Sequence, residues 1–179
     1  ATAATPTAID LTAAGTGTQS LTVASAAPVK SGGSLGIGAS VALNITNTTA
    51  RATIADGVIL TGPVHSLTLG ATSVTKTTTT TTAGGMAAGG SGVGIGGAIS
   101  IAVANTDTAA TVGSGTPLVL TGDFAATATH TGSTLTKADG EASGGSAAIG
   151  IALALNVVTD SAIATTQREI DAAGSVTFE

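Results

Sequence analysis

One alternation is written three times into this chain, and it constrains the fold more than any other feature. GIGASVALNITNTTARATI (36–54), GIGGAISIAVANTDTAATV (94–112) and IGIALALNVVTDSAIATT (149–166) align with Gly38, Gly96 and Gly150 in register. Ile54, Val112 and Thr166 align as well, at a spacing of roughly 54–58 residues. Within each copy, large apolar residues take every second place. They are Val41, Leu43 and Ile45; then Ile99, Ile101 and Val103; then Ile149, Ile151, Leu153, Leu155 and Val157. A period of two is the signature of a strand. The positions between them are small: Ser40, Ala42, Asn44; Ala98, Ser100, Ala102, Ala104; Gly150, Ala152, Ala154, Asn156. A strand face open to water usually carries charged or larger polar residues. A face of Ala, Gly and Ser predicts a close-packed neighbour, from this chain or from another molecule.

The segment after each copy recurs too, as ILTGPVHSLTL (59–69), LVLTGDFAATA (118–128) and IDAAGSVTF (170–178). IDLTAAGTGTQSLTV (9–23) reads as the same half-unit. The expectation is an all-β fold, a parallel β-helix (β-solenoid) built from about three imperfect repeats. Residues 1–179 form a single solenoid, with copies at approximately 1–33 (partial), 34–90, 91–145 and 146–179 (partial). A start and an end within a unit suit a piece of a longer array. With about three coils per unit, nine coils at about 4.8 Å each predict a rod about 43 Å long. Its short apolar strands are expected to bury one narrow core. SAIATTQREIDAAG (161–174) is the best helical candidate, but its match to the strand repeat sets it aside.

Composition narrows the function. Hydrophobic residues make up 42% and charged residues 8%, with a mean hydropathy of +0.50, which excludes a disordered chain. Cys, Trp and Tyr are absent, and there are two Phe and one Met. Ala and Gly cannot fill a wide core, so backbones must approach closely. The net charge is −5, and Lys30, Lys76, Lys137, Arg51 and Arg168 are scattered, so nucleic-acid binding is not expected. Without Cys there are no disulfides and no zinc-thiolate sites. ATAATPTAID at the start carries neither the basic region nor the apolar region of a signal peptide. The apolar runs 92–104 and 147–158 are shorter than the ~20 residues a spanning helix needs. A transmembrane barrel would carry aromatic girdles, so no membrane insertion is expected.

KTTTTTTAGGMAAGGSGVGIGGAIS (76–100) invites four readings. A flexible linker conflicts with the stiffness of β-branched Thr and with the related THTGSTLTKADGEASGG (129–145). GVGIGG (92–97) satisfies G-x-G-x-x-G, but a strand pattern follows it and no helix, so it is not a phosphate loop. A membrane segment fails on length. The wall of a solenoid, with threonine ladders and glycine corners, accounts for the stretch best.

GIGASVALNITNTTARA (36–52) and AGGMAAGGSGVGIGG (83–97) resemble repeats of giant bacterial surface proteins, the filamentous-haemagglutinin-like and leukotoxin-like adhesins. The likeness covers nearly the whole chain. It implies an extracellular right-handed parallel β-helix used as a stalk or fibre, and it carries no catalytic residues over. GGSGVGIGG (89–97) lacks the Asp of the calcium-binding G-G-x-G-x-D repeat.

No site residues are assigned: catalytic none, cofactor-binding none, metal none. His65 and His130 could form a metal pair only if stacked on neighbouring coils, and both read as solvated side chains. Asp56, Asp107 and Asp160 read as turn residues after each apolar strand. No Ser/His/Asp spacing stands out, and the N-x-[ST] matches at Asn44 and Asn47 are expected by chance in Thr-rich sequence. The functional expectation is a structural protein of an extracellular bacterial fibre, adhesin or matrix, self-associating end to end or continuing a longer array. A module binding a host surface or ice is the alternative.

Overall fold

The computed structural model describes residues 7–15, 19–31, 34–87 and 91–179. Ten strands account for nearly all of them, with no helix among the described residues. In chain order they are β1 (Thr7–Gly15), β2 (Gln19–Ser31), β3 (Leu35–Ile54), β4 (Val64–Ala87) and β5 (Val93–Val112). Then come β6 (Leu118–Leu120), β7 (Phe124–Ser143), β8 (Ala147–Thr166), β9 (Ile170–Ala172) and β10 (Val176–Phe178). The threonine run lies inside β4. The rejected helical candidate 161–174 ends β8 and contains β9.

The strands stack as a parallel β-solenoid with two broad walls. One wall is the five-stranded sheet in which β1 and β2 both pair with β4, followed by β7 and β10. The other is the three-stranded sheet β3-β5-β8, and β6 pairs with β9 at a corner. All pairs are parallel, and β3 matches β5 residue for residue, from Leu35 with Val93 to Ile54 with Val112. Gly38, Gly96 and Gly150 stand one above another, as their alignment implied.

Each repeat is therefore one coil, not three. The strands run unbroken for 20 residues in β3, β5 and β8, straight through Asn47, Asp107 and Asp160, residues that favour turns elsewhere. A 20-residue strand reaches about 66 Å, and three layers rise only about 14 Å. The expected rod of about nine coils and 43 Å is replaced by a short stack of very wide, flat coils.

The faces are also inverted relative to the expected apolar core. Val41, Leu43 and Ile45 are 63%, 55% and 59% exposed, whereas Ala42 and Asn44 between them are 2% and 3%. The small face points inward, because the opposite wall lies too close for larger side chains. That wall contributes Ser73, Thr75, Thr77, Thr79 and Thr81. The neighbour predicted for the small face is thus the same chain.

The space between the walls tapers. Near the corner that follows β3 and β5 it holds an apolar cluster including Ile54, Val112, Leu67, Leu69, Leu118, Leu120 and Phe124. Phe178 adds a tilted ring contact to Phe124, with centroids 5.3 Å apart. Midway it holds Ala, Ser, Thr and Asn. At the far edge the walls meet backbone to backbone: a Cβ on Gly38 would lie 2.0 Å from the Gly84 carbonyl oxygen. Side-chain volume along each strand sets this wedge, from Ile54 through Ala52 and Asn44 to Gly38 and Gly36.

Candidate functional site

Three features carry chemistry: a polar spine between the walls, a cation at the corner, and the outer face of β3-β5-β8. In the spine, inward residues of the first wall stack in ladders, Ser20–Thr77–Thr134 and Thr22–Thr79–Thr136. Asn44 reaches across from β3. Its Nδ2 donates to the Ser20 and Thr78 carbonyls at 3.3 and 3.4 Å, and its Oδ1 accepts from Ser20 Oγ at 2.7 Å. Asn156 repeats the arrangement with Thr136 Oγ1 and the Thr134 carbonyl. Asn44 is thus an interior strap, and its sequon faces away from solvent.

Not every interior hydroxyl is bonded. Thr79 Oγ1 and Ser100 Oγ are buried without a hydrogen-bond partner. A buried unpaired hydroxyl costs about 1–3 kcal/mol. Thr79→Val keeps the shape and removes the hydroxyl. The expected result is unchanged or higher stability, by about 1 kcal/mol, in urea denaturation.

Folding also brings together a serine, a histidine and an aspartate that sequence spacing did not connect. Ser73 Oγ lies 2.6 Å from Thr108 Oγ1 and 2.8 Å from His130 Nδ1. His130 Nε2 lies 3.4 Å from Asp160 Oδ1, without hydrogen-bond geometry. The order resembles a nucleophile, base and acid, but Ser73 is fully buried between the walls, so no substrate reaches its oxygen. The line ties layers together. His130 is thereby corrected from solvated to largely enclosed, and it does not stack on His65: its lateral partner is Ser73. His65 is exposed, beside Thr121.

The aspartates also depart from the turn reading. Only Asp56 lies at a corner. Asp107 sits within β5, paired with Arg51 of β3, and Asp160 lies within β8. Asp56 Oδ1 accepts from the Ser114 N–H at 2.7 Å and from its hydroxyl at 3.0 Å, one coil on. Asp123 binds Ser175 in the same way, at 2.8 and 3.0 Å. The Ser175 backbone N–H, then its hydroxyl and the nearby His65 charge, hold the Asp123 carboxyl below its ordinary value. A carboxylate whose folded pKa is depressed stabilises the fold above its unfolded pKa and loses that contribution as pH falls through the folded value. The Asp123 clamp is therefore expected to be intact at neutral pH and to weaken in acid below the ordinary carboxylate range. Asp123→Asn should flatten that part of an acid-denaturation curve followed by circular dichroism.

Arg168 is the buried cation that scattered charge in the sequence concealed. It is 7% exposed and has no carboxylate partner among its bonds. Instead its guanidinium donates to four carbonyls from two earlier corners: Ala55 at 3.1 Å, Val58 at 2.7 Å, Gly113 at 2.5 Å and Ser114 at 3.0 Å. Five donors in a planar fork suit this task. The only sequence signal was a lone Arg beside a corner.

The outer face of β3-β5-β8 divides along its length. Its first half is apolar in ladders: Ile37–Ile95–Ile149, Val41–Ile99–Leu153, Leu43–Ile101–Leu155 and Ile45–Val103–Val157. Its second half is polar, with Asn105 Nδ2 donating to Asn47 Oδ1 and Thr111 to Thr53 at 3.0 and 3.1 Å. The outer face of the other wall is unlike it. Thr78, Thr80 and Thr82 of β4 lie between Leu21 and Leu135, Val23 and Lys137, and Ser25 and Asp139. These three therefore do not stack on threonines, although Thr72 stacks on Thr129.

No protein-family profile, curated protein or solved structure matches the chain. Among the described residues no group of three or more His, Asp or Glu is placed to hold a metal ion, and no helix is long and apolar enough to cross a membrane.

Proposed function

We propose that this chain is a structural β-solenoid, a subunit or segment of an extracellular bacterial fibre, adhesin or matrix that extends along its stacking axis. The observation that carries this reading is the lattice-like coil. β8 repeats β5, and β5 repeats β3, in unbroken parallel register. The backbone ladders and the glycine contacts between the walls recur from one coil to the next. Strand edges at the end of such a stack offer unpaired backbone groups to a further layer. The bacterial surface setting rests on the resemblance of residues 36–52 and 83–97 to adhesin repeats. A surface-binding module for a host or for ice is the second reading, but the mixed outward ladders of β4 do not supply the regular threonine array that ice would require.

Electron microscopy of native material, and of the purified chain over a range of concentrations, tests this role. Filaments with a regular axial repeat, or native rods that contain the coil as one segment, are expected. A chain that stays monomeric and isolated in native preparations would overturn it.

A further inference from the structure

The apolar half of the β3-β5-β8 outer face is the largest feature that neither the fold nor the proposed axial assembly uses. Eleven residues per strand at about 3.3 Å, across three strands about 4.8 Å apart, make a footprint of ~500 Å². A contiguous apolar patch of that size is at the upper end of what monomers expose, and such patches are often functional. The outer face of the opposite wall is mixed by comparison: Thr68, Thr72, Lys76, Thr80 and Thr82 of β4 stand there among exposed Val74, Leu21, Val23 and Leu135.

We infer that this face pairs with the same face of a second copy of the chain. Three observations favour that occupant. The apolar half carries no charge, so a like surface meets no electrostatic penalty there. Its ladders form parallel ridges, and a two-fold axis along the strand direction sets each ridge against the same ridge of the second copy at the ~10 Å spacing of stacked sheets. The areas also agree. The same axis lays apolar half on apolar half and polar half on polar half. The whole 20-residue face then engages, about 900 Å² of footprint on each copy, against the ~800 Å² per partner of a standard stable interface. β5 lies over the axis and faces itself, so that Asp107, with Arg51 beside it, meets Asp107 of the other copy, while β3 faces β8 of that copy. This pairing is lateral and independent of end-to-end stacking.

The test is sedimentation velocity on the chain and on Ile101→Lys, with Thr80→Lys on the opposite wall as control. Both sites point outward, and unchanged circular dichroism confirms the fold of each variant. The expected results are a dimer for the chain and for Thr80→Lys, and roughly 100-fold weaker association for Ile101→Lys. The chain has no Cys, so Ile101→Cys with a short bis-maleimide should give a cross-linked dimer where Thr80→Cys does not. A folded chain that is monomeric at every concentration, or a dimer indifferent to Ile101→Lys, overturns the pairing. So does a monomer that binds phosphatidylcholine vesicles and loses that binding in Ile101→Lys, which would assign the face to lipid. If electron microscopy shows filaments, pairing appears as doubled width. Failure of the two proposals is thus read separately.

Discussion

Gly96→Val is expected to prevent the chain from folding. A Cβ at Gly96 would lie 1.8 Å from the carbonyl oxygen of Glu141, on the opposite wall. The obstacle is backbone, so no rotamer change relieves it. The walls must separate, and with them go the Gly38, Gly85, Gly94 and Gly140 contacts, where a Cβ would come within 2.0–2.3 Å of a facing carbonyl oxygen. The expected loss exceeds about 4 kcal/mol, beyond most single substitutions. It should be read as loss of soluble protein or of a cooperative urea transition. Even Gly96→Ala should cost several kcal/mol. Gly97→Ala, one residue away on the outer face, has nothing within 4 Å of its added carbon. It should be neutral or slightly stabilising. Opposite outcomes at adjacent glycines follow from wall spacing and not from glycine propensity.

Arg168→Ala is the second large effect. It leaves the Ala55, Val58, Gly113 and Ser114 carbonyls without the donor they share. Hydrogen bonds to a charged group contribute about 1.5–3 kcal/mol each in favourable cases, and they are not additive. A net loss of about 3–4 kcal/mol is expected in denaturant unfolding. Arg168→Lys should recover only a small part, since an ammonium cannot reach four carbonyls in one plane. Because these carbonyls belong to two earlier corners, protease cleavage in 55–58 and 113–115 should accelerate together in Arg168→Ala.

Much of this architecture was legible in the sequence. The recurring period of two gave strands, and the alignment of Gly38, Gly96 and Gly150 gave the parallel register. The run of six threonines read correctly as solenoid wall. What the repeat length did not reveal was how many coils it makes. A solenoid coil can fold a long repeat into several short strands or two long ones, and Gly38, Asn44 and Asn47 within 36–54 leave both open to a sequence reading. The inversion of the faces was hidden for a different reason. Hydrophobicity argues that Val41, Leu43 and Ile45 go inside, and here steric fit prevails. With Gly38 and Gly84 in backbone contact, the gap admits Ala, Ser and Thr and excludes Leu. The Ser73–His130–Asp160 line spans three strands, and Arg168 acts on corners 54 to 113 residues away. Such links have no local signature. The apolar outer face was visible as an alternation, but as a core and not as a surface.

Small residues line the inside of the wall and large apolar residues its outside, and single-cysteine alkylation across 40–45 reads that arrangement position by position. Each position is replaced in turn and labelled at a concentration where sedimentation shows monomer. Rapid labelling is expected at 41, 43 and 45, and protection at 40, 42 and 44 until the chain is unfolded in urea. Protection at the odd positions with labelling at the even ones would contradict that arrangement and return Val41, Leu43 and Ile45 to the core.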